Sequence, residues 1–449
     1  MTSDLPLTVL ATAMPTGSAV TTSMSLPAVI ALISSFFLGT LLVSRLSVRL
    51  GVPSILGVLL LGIMTNNSVV DHFLTPEIIE LLHSTSLSLL LFYAGLTTNF
   101  SQLKGLVRFS LCLAIGGVIV SSLMFSATIW LIASLIHGVL PDIPALPLPV
   151  CFLVAACVGS TDAGATTSVL RRVEPLVPVR VKRVIQFESS LNDPAAILFL
   201  SASAGLFIAL QNPDLQPAIV LAKQFQSFLR NVGSGIMCGL ILVYLSQFIL
   251  RQILMSRDQV LVLGLSIAMA AYGFTSLIGG SGFVACFVTG AFLANNIYNN
   301  PHITPELIEL SLEPFNTLME LMVFLLFGLL FPSHFLLDYW LPGLLMALVL
   351  MLIVRPFSVL LFQKLSPLTK RETALVCWCG LRGAVPLALT FSVIHELPEI
   401  TGFAGASLQS LTDYVESLVF VIVIINLSLQ GFTLPHVCRW LGFQPEPAG

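Results

Sequence analysis

Charge is the scarcest property of this sequence. Only 9% of its 449 residues are Asp, Glu, Lys or Arg, whereas 56% are hydrophobic. Soluble domains carry about 25% charged residues, so this chain lacks the side chains that would cover a water-exposed surface. Apolar runs of about 17–25 residues, the length of a bilayer-spanning helix, recur along it. We therefore predict an all-α polytopic membrane protein.

Other absences narrow the function. The period-two alternation of a transmembrane β-barrel is missing. No basic cluster favours nucleic acid as a partner. The eight cysteines lie scattered in apolar segments, and Cys377 and Cys379 have no second pair or His that would complete a zinc site. We expect no cofactor and no resident metal.

The apolar runs predict about 13 transmembrane helices inside a membrane domain over 27–440. Short polar tails, external at 1–26 and cytoplasmic at 441–449, are expected to flank it. A stretch at 217–231 is amphipathic, which favours a helix lying along the membrane interface. The predicted spans are 27–46, 52–66, 78–96, 106–136, 147–170, 182–208, 232–250, 259–278, 282–297, 314–331, 341–363, 372–393 and 413–436.

The distribution of Lys and Arg sets the orientation. With the N-terminus outside, fifteen of the nineteen basic residues fall on the inner side, and only Lys223 and Arg230 fall outside. The C-terminus is then cytoplasmic.

Five ionisable residues lie deep in predicted spans, where a charge costs a few kcal/mol or more and normally serves a pathway or has a partner. A sixth residue, Glu320, is interpreted as a helix-end acid that reaches water. The five are Asp162, Glu188, Asp193, Arg355 and Arg382.

The sixth span contains two carboxylates in the stretch FESSLNDPAAILF, 187–199. Glu188 and Asn192 share one helix face, whereas Asp193 shares another with Ser189. The two carboxylates point about 140° apart and so face different neighbours. Pro194 also frees one helical carbonyl beside Asp193, a combination that suits a cation site.

Two spans are interrupted by Gly, Ser, Thr or Pro around a charge: the fifth, VGSTDAGATTSVL (158–170), and the twelfth, WCGLRGAVPLALTF (378–391). Non-helical backbone at membrane depth is tolerated only beside a cavity or within protein. A pair of interrupted spans is typical of a transporter site built from broken helices. The seven-span offset reverses direction, which predicts inverted repeats with two broken, crossing helices.

The motifs resemble those of cation:proton antiporters of the sodium/proton exchanger and NhaP kind. The matching segments are STDA (160–163), ESSLNDP (188–194), Arg355–Pro356 and GLRGAVP (380–386), in family order. The resemblance implies a secondary active transporter that exchanges Na⁺ or K⁺ for protons by alternating access, as a homodimer in a bacterial inner membrane, with a role in pH homeostasis.

The resemblance also implies roles for individual residues. Asp193 would carry the cation and the proton in turn, and Asp193 and Asp162 would be the carboxylate ligands of Na⁺ or K⁺. Glu188 would form a structural ion pair with Arg355. Arg382 would be the charge of the second broken helix. The remaining site residues implied are Asn192, Ser189 and the Thr161 backbone.

Two details concern the ion. An Asn-Asp pair at 192–193, in place of Asp-Asp, resembles the electroneutral branch, and the STDA and NDP segments resemble potassium/proton members. Relatives often carry an acid in the third span, where this chain has Tyr93 in LLFYAGL, 90–96. Tyr93 is therefore a candidate cavity-lining residue in place of an acidic ligand.

The mechanism follows from burial of one carboxylate. A low-dielectric site disfavours the charged form, so either a proton or an alkali ion can neutralise Asp193. The alternatives are a proton-coupled organic-solute transporter and an ion channel. An enzyme is not expected: Gly279–Gly282 fits the GxSG turn of an intramembrane serine protease, but no suitably placed His accompanies it.

Overall fold

Helix is the only regular secondary structure among the residues that the computed structural model describes. Backbone polar groups in hydrocarbon need internal partners, which a helix supplies within itself. The predicted all-α polytopic membrane architecture is confirmed. The described residues are 26–50, 53–65, 76–139, 146–162, 165–166, 169–170, 176–212, 216–252, 257–295, 304–330, 336–403 and 405–443.

Fifteen labelled helices occur within these ranges. Two of them contain a short π-helical segment: α5 at Leu113–Gly117 and α12 at Leu350–Val354. The helices are α1 (Leu26–Arg49), α2 (Ser54–Thr65), α3 (Pro76–Leu96), α4 (Phe100–Leu103), α5 (Val107–Val139), α6 (Leu148–Cys157), α7 (Val179–Gln211), α8 (Pro217–Gln252), α9 (Arg257–Leu277), α10 (Gly282–Ala294), α11 (Pro305–Leu330), α12 (Leu336–Val349, then Leu350–Val354 and Arg355–Leu361), α13 (Lys370–Trp378), α14 (Ala384–Thr401) and α15 (Gly405–Trp440).

Within the described ranges, nine helices are long and apolar enough to cross a bilayer, and α2, α6 and α10 are shorter apolar helices. These helices overlap the predicted spans, but several begin or end up to fifteen residues away from the predicted bounds, and the number thirteen stays a prediction. Of the predicted polar tails, only 26 and 441–443 belong to the described residues.

The interfacial helix predicted at 217–231 is wrong. Residues 217–252 form one continuous helix, α8, whose first 33 residues are apolar enough to span a membrane. Two glycines in the second half of α8 pack closely: a Cβ at Gly235 would lie 2.7 Å from the Ser281 carbonyl oxygen, and one at Gly239 would lie 3.0 Å from that of Ala285. Close backbone approach to α10 and its preceding turn therefore holds the part of α8 that directly follows the stretch that looked amphipathic.

The two interrupted spans are broken where the sequence predicts, and they meet. Helix α6 ends at Cys157, and residues 158–162 are non-helical. Helix α13 ends at Trp378, and α14 begins only at Ala384. The Asp162 N–H donates a 2.9 Å hydrogen bond to the Leu381 carbonyl. Each break therefore supplies the backbone partner that the other has lost, as non-helical backbone in a membrane requires.

Candidate functional site

Helix α7 runs past the first break and places its polar residues against it. Asp193 and Asp162 are each only 6% exposed, and they lie close enough for their charges to interact. Asp193 Oδ1 is buried and accepts no hydrogen bond from any residue that the structure describes. A carboxylate oxygen held in this way is available for a proton or a cation.

Three neighbouring side chains form a short hydrogen-bonded chain beside Asp193. The hydroxyls of Thr161 and Ser189 lie 2.9 Å apart, and Asn192 Nδ2 donates to Thr161 Oγ1. This fixes the Asn192 amide so that its Oδ1 is buried and receives no donor from the described part of the chain. The site thus presents a second oxygen, and oxygen atoms are the ligands that hard cations prefer.

Asp162 contacts the backbone that follows the first break and the glycine that precedes α14. Its Oδ1 accepts a 3.0 Å hydrogen bond from the Ala165 N–H, where helical backbone resumes. Its Oδ2 packs against Gly383, the residue before α14. The positive end of a helix dipole favours a negative group at its N-terminus. Asp162 is therefore held in place by the crossing itself.

Arg382 occupies the other end of the crossing. It is 1% exposed, and its guanidinium donates to the carbonyl of Gly159, just beyond the end of α6. Its backbone N–H donates a 2.9 Å hydrogen bond to Asn426 Oδ1 on α15. A cation at the C-terminal end of a half-helix interacts favourably with the negative end of the helix dipole. The sequence pointed to Arg382 as the charge of the second broken helix, and Asn426 was missed.

Glu188 and Arg355 are in contact. Arg355 donates through both terminal nitrogens to the two oxygens of Glu188, in the bidentate geometry that favours guanidinium over ammonium. Arg355 Nη2 also lies 3.4 Å from the Val376 carbonyl and 3.5 Å from that of Cys379, at the end of α13. Each half-helix that ends at the crossing therefore has an arginine at its C-terminal end.

A cavity of about 420 Å³ approaches the site from one side. It lies between α7, α8, α9 and the turn before α10, and one of its wall residues is Pro194, next to Asp193 in the chain. Its polar wall residues are Ser201, Gln224, Ser227, Asn231, Tyr272, Ser276 and Ser281. Most of its wall on α7 is apolar, so its polar residues lie mainly on α8, α9 and the turn. The cavity therefore reaches the residue that follows Asp193.

The remaining candidates fall elsewhere. Tyr93 is buried on α3, in an apolar cluster that includes Phe92 and Val385 at the start of α14. Glu320 is also buried, in the middle of α11, so its interpretation as a helix-end acid is wrong. Helix α11 begins nine residues before the predicted span, so Glu320 is far from either end. Ser281 of the GxSG turn caps α10 by accepting a hydrogen bond from the Val284 N–H.

Gly383→Ala is expected to slow ion exchange strongly, because a Cβ at this position would overlap the Asp162 carboxylate. Overpacking costs about 1–3 kcal/mol, so displacement of Asp162 should lower the rate roughly tenfold or more. Gly273→Ala is the matched control, since no atom lies within 4 Å of its added Cβ. Equal rates for the two variants, measured by a pH-sensitive dye in proteoliposomes, would contradict the close packing of Gly383 on Asp162.

Comparisons with known proteins agree with this geometry. Helices α1–α15 closely resemble the sodium proton antiporter MjNhaP1 of Methanocaldococcus jannaschii, with a TM-score of 0.73 at 23% identity. The match covers 93% of this chain and all of that one. At this identity the likeness shows a shared fold.

Sequence relatives extend the match. The K(+)/H(+) antiporter NhaP2 of Shewanella oneidensis is 29% identical over 422 residues, which cover 91% of this chain and 67% of that protein. A probable Na(+)/H(+) antiporter 2 of M. jannaschii is 23% identical over 419 residues, covering 89% of this chain and 94% of that one. Residues 20–440 match the family described as sodium/hydrogen exchanger, transmembrane. The chain belongs to the sodium/hydrogen exchanger family of multi-pass membrane proteins.

Proposed function

We propose that this protein exchanges one monovalent alkali cation, Na⁺ or K⁺, for one proton by alternating access, with Asp193 as the shared carrier. The observation that supports this most directly is the pair of buried oxygens, Asp193 Oδ1 and Asn192 Oδ1, that accept no hydrogen bond within the described chain. Buried polar atoms are normally satisfied, so two such oxygens on consecutive residues of α7 favour a transported ligand.

The cation would be held by oxygen atoms on both elements. Asp193 and Asn192 offer theirs from α7, whereas Asp162 and the Thr161 backbone offer theirs from the first break. The Ser189 hydroxyl, bonded to Thr161, would complete the set. Because α7 and the first break are joined by these hydrogen bonds, binding and release would depend on solvent access and leave the ligand set unchanged.

Charge would control movement of the site. With neither ion bound, the Asp193 carboxylate would be a net charge in a low-dielectric environment, which opposes its passage across the barrier. A bound proton or alkali ion neutralises it. The loaded forms would cross and the empty form would not, which couples the two fluxes without ATP.

The proposal also includes orientation, assembly and cellular membrane. The one-sided distribution of Lys and Arg supports a cytoplasmic C-terminus and an external N-terminus. The family resemblance supports a homodimer in a bacterial plasma membrane, serving pH homeostasis. Native mass spectrometry of the detergent-solubilised protein should then give twice the 48.3 kDa mass of one chain.

The function is tested with purified protein in liposomes that contain an internal pH dye. Na⁺, K⁺, Li⁺ and choline are added in turn against an outward proton gradient. Dequenching by Na⁺ or K⁺ but not by choline is expected. The relatives are named as Na⁺ or as K⁺ exchangers, so this series also identifies which of the two ions the protein transports. Dequenching by an organic cation alone would favour a proton-coupled solute transporter instead.

Exchange is expected to be electroneutral. Asn192 is neutral and bonded to Thr161, so Asp193 alone would carry the load, and one proton would replace one cation. The membrane potential is clamped with valinomycin when Na⁺ drives exchange, and with an imposed chloride potential when K⁺ drives it. In both arrangements the initial rate of exchange should not change with voltage. Asn192→Asp is also expected to remain electroneutral, because a second adjacent carboxylate mainly perturbs the first by like-charge repulsion.

A steep response of the wild type to potential would contradict one-for-one exchange. In that case a second carboxylate, Asp162 or Glu188, must titrate during the cycle. The same clamped vesicles without protein give the passive leak that is subtracted from each rate.

A further inference from the structure

A second cavity, which shares no lining residue with the ion site, lies between α12 and α13 and has a volume of about 530 Å³. Its floor is formed by buried Met351 and Cys377. Its sides include Leu352 and Leu360, which are 55% and 50% exposed. Exposed apolar side chains on a membrane-spanning helix face lipid chains, so this groove opens to the hydrocarbon of the bilayer.

One end of the groove is basic. Lys370, the first residue of α13, lines it. Lys364, on the connection between α12 and α13, and Arg371, the second residue of α13, are also exposed. The acid in the first turn of α13, Glu372, is buried, and its carboxylate accepts a hydrogen bond from the Thr369 N–H in a capping box. Among the residues of α12, α13 and their connection whose burial the structure describes, no exposed acid compensates these positive charges.

Two buried polar atoms also line the groove. The Thr373 side chain is 1% exposed, and its hydroxyl makes no hydrogen bond to any described residue. Thr373 lies one turn from Lys370 along α13, so both face the same end of the groove. The indole Nε1 of Trp378, at the other end of α13, is buried and equally without an acceptor among the described residues. A bound molecule with ester or phosphate oxygens would satisfy the Thr373 hydroxyl.

We propose that this groove binds one anionic phospholipid, with its phosphate between Lys364 and Lys370 and one acyl chain lying between α12 and α13. Basic pockets between transmembrane helices bind anionic head groups through charge, and the apolar groove adds burial of the chain. A zwitterionic lipid would gain the burial but only part of the charge attraction. The proposal does not depend on the exchange reaction.

The position of the lipid gives it a structural consequence. Pro356 and Cys377 line the groove, and they flank the segment where Arg355 meets the end of α13. A lipid seated here would pack against the back of the Glu188–Arg355 pair. It would support the half-helix that leads into the second break.

The test uses Trp378 as a reporter, because it lines the groove. The full chain with Trp130, Trp340 and Trp440 replaced by Phe is placed in nanodiscs of phosphatidylcholine with a minor fraction of phosphatidylglycerol. In one arm the phosphatidylglycerol chains are brominated, and in the other the same amount of phosphatidylcholine is brominated. Bromine quenches indole fluorescence only at short range, so stronger quenching in the first arm is expected.

Lys364→Gln combined with Lys370→Gln should lower this preference roughly 30-fold, as expected for two basic groups beside an anionic lipid. Lys104→Gln combined with Lys223→Gln is the matched control, since both lysines are exposed on other elements. Equal quenching in the two arms, or the same preference in both double variants, would overturn the proposal. If the Trp replacements prevent folding, the natural chain is used and its thermal stability is compared in phosphatidylglycerol and phosphatidylcholine. The proposal expects higher stability in phosphatidylglycerol, and it expects only the Lys364/Lys370 double variant to lose this difference.

Discussion

Asp193→Asn is expected to abolish cation-dependent proton flux while leaving the protein folded. Asn has nearly the same shape as Asp, but it binds no proton near neutral pH and offers no negative charge to an alkali ion. The flux is measured by dye dequenching in proteoliposomes, and folding by size-exclusion elution and thermal melting. Loss of the carrier should reduce the rate to that of empty liposomes, the largest effect predicted for transport.

Two further variants are compared with Asp193→Asn. Glu399→Gln, an exposed acid on α14, is the matched control and should leave the rate unchanged. Asp162→Asn keeps an oxygen that can accept from the Ala165 N–H, so its cap survives while its charge is lost. We expect this variant to be severely impaired but as stable as the natural chain. Robust exchange by Asp193→Asn would contradict the proposed mechanism, whatever the other two variants show.

Glu188→Ala and Arg355→Ala are expected to cause the largest losses of stability. Each leaves the other charge buried, with the Glu188 and Arg355 residues only 1% and 5% exposed. An uncompensated buried charge costs about 3–5 kcal/mol. Thermal melting in detergent should therefore begin at clearly lower temperature for both single variants.

The double variant separates a pair from two independent residues. If the residues stabilise each other, removing both should cost less than the sum of the single losses. Simple addition of the two losses would contradict the pairing. Glu306→Ala with Lys223→Ala, two exposed charges on other helices, provides the additive reference. The transport rate of the double variant, if it folds, then reports whether the pair serves stability alone.

The sequence alone was enough to single out the residues of the candidate site. A bilayer tolerates neither unpaired charges nor unsatisfied backbone, so Asp162, Asp193 and Arg382 and the two interrupted spans stand out from an apolar background. Helical geometry also predicted that Glu188 and Asp193 face different neighbours. In the structure Glu188 meets Arg355 on α12, whereas Asp193 lies beside Asp162.

The tertiary structure decided which groups meet across the chain. Arg382 bonds to a backbone carbonyl at Gly159, and every residue has such a carbonyl, so no sequence signal identifies the partner. Asn426 is one polar residue in an apolar helix, and only the crossing of α15 with the break gives it a role. The continuity of α8 and the burial of Glu320 had the same cause: both depend on which helices pack alongside, which local hydropathy does not encode.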